Sequence, residues 1–176
     1  MTIRNGAERS WFSLITPANG IMPGRNELPD LFFKLLYSKG FPNNDIMAEG
    51  LFDTWISAEF PCRMFHKVDW LACFQTTGYL ENSKHLNTPT VTPRTLYRAS
   101  PARYRHYLSW TDDLEVANFF NDRNNKYFNL HEPSYIWVVH PQPTQLLAHF
   151  TKGRGESEWI LNVNKNDTEK LQYKSV

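Results

Sequence analysis

The sequence has few cysteines, no long apolar run and almost no net charge, and each of these features excludes a class of protein. Two cysteines in 176 residues exclude a disulfide-rich secreted scaffold. No apolar run approaches the roughly 20 residues of a membrane-spanning helix, so we predict no membrane segment. A formal net charge of +1 argues against an extended phosphate-binding surface, which needs a strongly basic face.

The sequence also offers no export signal and no recognisable metal motif. The first residues, MTIRNGAERSW, contain no apolar segment followed by a cleavage pattern, so we expect a soluble, cytoplasmic protein with reduced cysteines. One set of side chains could be drawn as a zinc site, but its spacing fits no common pattern: Cys62, His66, Cys73 and His85. We therefore predict that the protein binds no metal.

What the chain does contain is suited to one globular domain. With 41% hydrophobic and 21% charged residues, it can bury a core of ordinary size. Residues 1–27 alternate turn formers with small apolar groups, which predicts loop with room for one short strand. Apolar residues at helical spacing then predict three helices, at 28–39, 43–59 and 66–77. Residues 79–94 contain two prolines and no period, which predicts a connecting loop.

From residue 95 onward the pattern changes to short strands separated by loops. The predicted elements are strands at 95–99, 107–110, 134–139 and 157–163, a helix at 112–122, a short helix or strand at 145–149, and a last strand at 171–174. A helical N-terminal part, 1–94, would thus be followed by a β-rich part, 95–176. One compact α+β domain is the simplest arrangement of the two.

Three short motifs stand out in the β-rich part. Arg98 lies in the strand pattern TLYRAS, and Ser109 and Thr111 flank a tryptophan in YLSWTDDLEVANFF. Glu156 and Glu158 lie two apart in GRGESEWIL. Taken singly, each has an ordinary explanation, because strand arginines usually form salt bridges, Glu-x-Glu is usually a solvated face, and such hydroxyls often cap helices.

In this order, however, the motifs resemble those of the ADP-ribosyltransferase superfamily, in its branch with an Arg, a Ser-x-Ser/Thr and a Glu-x-Glu. Ala117 and Phe120 also stand where the family has an Ala and a Phe in the following helix. The resemblance covers about residues 95–163 and leaves the first 90 residues unexplained. It implies a split β-sheet core and NAD as the substrate, while the α-helical N-terminal part is predicted from helical spacing alone.

The resemblance also implies a role for each motif residue. Glu158 would bind the nicotinamide-ribose hydroxyl and stabilise an oxocarbenium-like transition state, and Glu156 would orient or deprotonate the incoming nucleophile. Arg98 would hold phosphate or ribose oxygens. Ser109 would brace Glu158 or the ribose, and Thr111 would support the turn into the helix. The local pattern separately predicts that Thr111 or Asp112 caps that helix.

The spacing of the first two motifs differs from that of many members of the family, and the acceptor stays open. Only ten residues separate Arg98 from Ser109, which leaves the usual NAD-covering loop short, so the aromatic that stacks on nicotinamide is one of Trp110, Tyr104 and Tyr107. The acceptor is also open. The family chooses its acceptor in the segment before the paired glutamates, which reads AHFTKGRGES here. A glutamate at the first position of the pair, Glu156, resembles enzymes that modify arginine side chains, although nucleic-acid modifiers carry similar pairs.

The functional prediction is a mono-ADP-ribosyltransferase, a glycosyltransferase that acts on a protein or nucleic-acid acceptor. Such an enzyme would suit a toxin, or a bacterial or phage conflict protein active in a host cytoplasm, and its helical N-terminal half would dock the target. Two other classes stay open. One is a catalytically silent relative that acts as a binding or inhibitor module, and the other is a nucleic-acid-binding protein that uses its 15% aromatic content and the RYRH run at 103–106.

Overall fold

The chain folds as an α+β structure in which helices cover one large mixed sheet. The computed structural model describes residues 10–63, 65–127, 132–153 and 157–172. Within them, the helices are α1 (Trp11–Ile15), α2 (Leu28–Ser38), α3 (Asn44–Ser57), α4 (Lys67–Thr77) and α5 (Leu114–Tyr127). The strands are β1 (Tyr79–Glu81), β2 (Lys84–Leu86), β3 (Leu96–Ser100), β4 (Ser109–Thr111), β5 (Tyr135–Val139), β6 (Leu146–Phe150), β7 (Glu158–Leu161) and β8 (Glu169–Lys170).

The strands pair in the order β2-β1-β6-β7-β4-β3-β5-β8. Neighbours are antiparallel except for β1 and β6, which are parallel. Over these residues the pairing runs through all eight strands, whereas the resemblance implies a split sheet. The join between β3 and β4 is short, with Tyr97 opposite Thr111 as its register pair.

The three long N-terminal helices confirm the helical periodicity of the sequence, and local signals explain their ends. Pro29 occupies the first turn of α2, where a missing N–H costs nothing. The Asn43 side chain accepts a hydrogen bond from the backbone N–H of Ile46 at 2.9 Å and so caps α3. Gly78 ends α4 with a φ of 81°, a conformation that favours glycine.

Two predictions for the N-terminal part are wrong. Residues 79–94 are not a plain loop, because β1 and β2 form a hairpin there and Leu80 is completely buried. The parallel pairing with β6 provides the backbone partners that the local sequence does not reveal. Residues 11–15 form a helix instead of a short strand, because Ser10 and Ser13 each accept a hydrogen bond from the other's backbone N–H.

The sheet separates two hydrophobic cores. On β7, Ile160 belongs to one core and its neighbour Trp159 to the other, as expected when successive strand residues point to opposite faces. The first core joins the helices to the sheet and contains Trp11, Phe32, Phe33, Leu51, Trp55, Trp70, Phe74, Leu80, Leu108, Ala148, Phe150 and Ile160. Residues from both predicted parts of the chain therefore build one shared core.

Gly50 is required where α1 crosses α3. A Cβ at this position would lie 2.7 Å from Cε3 of the Trp11 ring, and that ring is completely buried. We predict that Gly50→Ala destabilises the protein by about 1–3 kcal/mol. In an exposed helix interior the same substitution would normally stabilise the helix by about 1 kcal/mol. Denaturant unfolding of the wild type and the variant measures the change.

A second background identifies the cause. In a chain that carries Trp11→Leu, the smaller side chain leaves room for the new methyl group, so Gly50→Ala should cost much less. An equal cost in both backgrounds would show that the Trp11 contact is not the reason for the glycine.

Candidate functional site

A cavity of about 440 Å³ opens where β3, β4 and β7 meet α3 and α5. Its volume is within the usual range for small-molecule sites. The strands contribute Tyr97, Arg98, Ser109, Thr111 and Glu158, and the helices contribute Trp55, Ala117 and Phe120. Motif residues from three adjacent strands therefore line one cavity.

The register of β4 against β7 explains why the hydroxyls and the carboxylate meet. Thr111 is opposite Glu158, and Ser109 is opposite Ile160. Residues that are opposite in an antiparallel pair point to the same face, and Ser109 and Thr111 are two apart on one strand. Ser109, Thr111 and Glu158 therefore share the face that carries the first core.

Arg98 is held by backbone carbonyls. Its Nε donates to the carbonyl oxygen of Tyr104 at 3.1 Å, and its Nη1 donates to that of Ser109 at 2.6 Å. The guanidinium carbon lies 5.8 Å from the centre of the Tyr107 ring. These contacts fix the guanidinium and leave part of its donor set for a further partner.

The charge of Arg98 is incompletely compensated. Within the described residues Arg98 forms no ion pair, and desolvation lowers its pKa to about 10. Cys62, Glu158 and Tyr107 act in the opposite direction and raise that pKa, so the Glu158 carboxylate is near without forming a salt bridge to Arg98. A desolvated cation without a bonded carboxylate favours an anionic ligand.

Glu158 has a partner from the helical part of the chain. Its Oε1 accepts a hydrogen bond from Nε1 of Trp55 at 2.9 Å, and Trp55 is only 4% exposed. The two residues are 103 positions apart in the sequence. Sequence reasoning missed this contact because it assigned Trp55 only to an apolar helix face, and no local signal connects the two positions.

The two hydroxyls of the Ser-x-Thr motif differ in their surroundings. In the part of the chain that the structure describes, no hydrogen-bond partner occupies the Ser109 hydroxyl, which borders the cavity. Thr111 Oγ1 instead accepts from the backbone N–H of Asp113 at 3.1 Å. Thr111 therefore supports the turn between β4 and α5.

The cap of α5 is one residue later than predicted. Asp113 Oδ1 accepts from the backbone N–H groups of Glu115 and Val116 at 2.7 and 3.4 Å, so Asp113 is the cap instead of Thr111 or Asp112. Asp112 Oδ2 accepts from Trp159 Nε1 at 3.0 Å and from Ser157 Oγ at 3.2 Å. Asp112 is thus bonded to Trp159 of β7 and to Ser157, and Asp113 caps the helix.

The aromatic residues near the cavity only partly match the expected stacking candidates. Trp110 borders the cavity, but the residue is only 2% exposed, packs in the second core and donates from Nε1 to the carbonyl of Tyr107 at 2.8 Å. Tyr107 packs edge-on against Tyr104 and lies beside Arg98. The rings that line the cavity include Tyr104, Tyr97 and Phe120, and sequence reasoning did not consider Tyr97.

Glu156 lies outside the described residues, but the positions that flank it have defined contacts. On the N-terminal side, Asn82 Oδ1 accepts from the backbone N–H groups of Thr151 and Lys152, each at 3.0 Å. On the C-terminal side, Ser157 binds Asp112 as described above. Thr151, Lys152 and Ser157, on the two sides of Glu156, are therefore hydrogen-bonded to side chains next to the sheet strands.

Cys62 is an unpredicted neighbour of the charged pair. Burial raises the pKa of its thiol to about 11, and the nearby Glu158 carboxylate raises it further while Arg98 and Lys67 lower it. The thiol is therefore neutral near pH 7. Because the pKa is above its ordinary value of 9.0, the fold gains stability from Cys62 below pH 9 and loses it as the pH rises toward 11.

Within the ranges given above, the structure contains no group of three metal-ligating side chains and no helix long and apolar enough to span a membrane. Comparison of the chain with family models, curated proteins and solved structures finds no match.

The raised pKa of Cys62 predicts weak thiol reactivity. At pH 8 a pKa of about 11 leaves on the order of one thiol in a thousand ionised, against about one in ten at a pKa of 9.0. In a chain carrying Cys73→Ser, the rate of iodoacetamide alkylation should keep rising from pH 8 to pH 10.5. An unstructured cysteine peptide is the control, and a plateau near pH 9 in the folded protein would contradict the raised pKa.

Proposed function

We propose that this protein is a mono-ADP-ribosyltransferase that cleaves NAD and transfers ADP-ribose to a macromolecular acceptor. One observation carries the proposal: Arg98, Ser109 and Glu158, from adjacent strands, line one cavity. The motif order in the sequence supports the same reaction independently. The proposal includes a core of the ADP-ribosyltransferase type around strands β3, β4 and β7.

In this proposal the cavity binds NAD through its charged groups. Arg98 binds the diphosphate or a ribose oxygen, since no carboxylate of the described residues is bonded to it and its planar donors suit oxyanions. The hydroxyl of Ser109, which borders the cavity, binds the nicotinamide ribose or braces Glu158. Tyr104 and Tyr97 offer ring surfaces for the nicotinamide.

The chemical step breaks the bond between ribose C1′ and the nicotinamide nitrogen. The bonding electron pair leaves with nicotinamide and neutralises its pyridinium charge, while positive charge develops on the ribose. Glu158 stabilises that charge electrostatically and holds the ribose hydroxyl. A lone pair of the acceptor then forms the new bond to C1′, and the acceptor's proton passes to Glu156 or to solvent.

The acceptor in this proposal is a protein side chain, with arginine as the leading choice, or a nucleic acid. In this scheme the acceptor approaches beside Lys152, which borders the cavity and precedes Glu156 in the sequence. A toxin or a bacterial or phage conflict protein is the biological setting that fits such a reaction.

Binding of NAD depends on Arg98 in this scheme. Millimolar NAD should raise the melting temperature of the wild type, and Arg98→Gln should weaken NAD binding at least tenfold, about 1.4 kcal/mol. Arg94→Gln, which removes an exposed charge near the same strand, is the matched control and should bind normally. Titration calorimetry gives the affinities.

The stability of each unliganded variant has to be measured as well, because Arg98 also binds two backbone carbonyls. If Arg98→Gln is unfolded, Arg98→Lys keeps a positive charge without the planar fork and takes its place. No stabilisation of the wild type by several millimolar NAD would contradict the proposed substrate.

Glu158 should matter far more for the turnover of NAD than for the binding of NAD. Glu158→Gln keeps the shape of the side chain but removes its charge, so nicotinamide release should fall by about two to three orders of magnitude with little change in NAD affinity. Glu156→Gln should reduce transfer while slow hydrolysis of NAD survives.

The assay uses purified protein, labelled NAD and a bacterial lysate, with label measured separately on protein and on nucleic acid. Glu169→Gln, an exposed change on β8, is the control for removal of a carboxylate. Equal turnover by the wild type and Glu158→Gln would overturn the enzyme proposal and leave the binding-module alternative.

A further inference from the structure

We infer that Trp55 is a positioning residue for Glu158, so that the N-terminal helices form part of the reactive site. The inference rests on the proposed function, because it assigns Trp55 to the step in which Glu158 acts. Its basis is the 2.9 Å hydrogen bond from Trp55 Nε1 to Glu158 Oε1. The expected docking role of the helical half does not account for this contact.

The surroundings of Trp55 fix the direction of its N–H group. The ring packs edge-on against Trp70, at 5.3 Å and 83°, and against Phe74, at 5.4 Å and 75°. It is nearly inaccessible to solvent. An indole has a single donor and no acceptor, so a ring held on two sides presents its N–H along one line.

A glutamate side chain needs such a constraint to act in a reaction. It has several rotatable bonds, so its carboxylate can adopt several orientations on a half-buried strand position, and each hydrogen bond to the carboxylate reduces that freedom. The hydrogen bond to Oε1 fixes the position of that oxygen. The second oxygen is then restricted as well, because both oxygens belong to one carboxylate group. Reaction rates are sensitive to errors of about 1 Å in the position of such a group.

The residue after Trp55 reinforces the connection between α3 and the site. Gly153, with a φ of 117°, lies against Ile56, because a Cβ there would be 3.0 Å from Ile56 Cδ1. The end of α3 thus contacts both the Glu158 side chain and the segment that precedes Glu156. The C-terminal end of α3 is therefore a common neighbour of Glu158 on β7 and of Gly153.

Trp55→Phe tests the inference because it keeps an aromatic ring and removes the donor. We expect the kcat for nicotinamide release to fall about tenfold or more, while the dissociation constant of NAD changes less than about twofold. Trp11→Phe is the matched control. Trp11 is completely buried in the same core, and its Nε1 donates to a carboxylate, Asp53 Oδ2, at 2.8 Å.

The control variant should lose a similar degree of thermal stability and keep its kcat within about twofold. Equal kcat values for Trp55→Phe and Trp11→Phe would overturn the inference while leaving the proposed function intact. If Trp55→Phe does not fold, benzothienylalanine at position 55 replaces only the N–H by sulfur, and the same fall in kcat is expected from it.

A readout without NAD separates failure of the inference from failure of the proposed function. Trp55→Phe should lower the melting temperature less in a Glu158→Gln background than in the wild type, because the charged acceptor is already absent. Equal shifts in the two backgrounds would overturn the contact itself. If the melting-temperature shifts differ between the two backgrounds but the wild-type protein does not cleave NAD, the proposed function is overturned, and the positioning role with it.

Discussion

The Arg98 guanidinium is the interaction on which the arrangement of the site depends. It donates to the carbonyls of Tyr104 and Ser109, and so it joins β3, the connection that follows it and β4. The backbone register between these strands is short, with Tyr97 opposite Thr111. Arg98 therefore supplements the ladder where it is weakest. The same contacts place its charge beside the cavity.

The cover of helices is the second constraint. A carboxylate on an open sheet would be solvated, and its interaction with a substrate would be screened by water. Here α3 lies over β7, and Trp55 occupies the position that solvent would otherwise take at Glu158 Oε1. The shared first core is therefore more than a source of stability, because it sets the electrostatic environment of Glu158.

Sequence reasoning predicted the parts of this structure that local patterns encode. Helical spacing identified α2 and α4 to within about a residue or two, and alternating or β-branched runs identified β5 and β7. It failed where distant partners decide. The β1–β2 hairpin exists because β6 pairs with it. The partnership of Trp55 with Glu158 likewise has no local trace.

The separation of Arg98 and Glu158 is the feature that makes the cavity chemically distinctive. A direct salt bridge would have neutralised both groups and left little for a ligand. Instead, within the described residues, Arg98 donates to backbone carbonyls and Glu158 accepts from an indole, although the two charges are close enough to affect each other. A cavity that holds a cation and an anion without a salt bridge between them is complementary to a ligand that is negative in one part and becomes positive in another. NAD, with its diphosphate and a ribose that gains positive charge as nicotinamide departs, has that distribution.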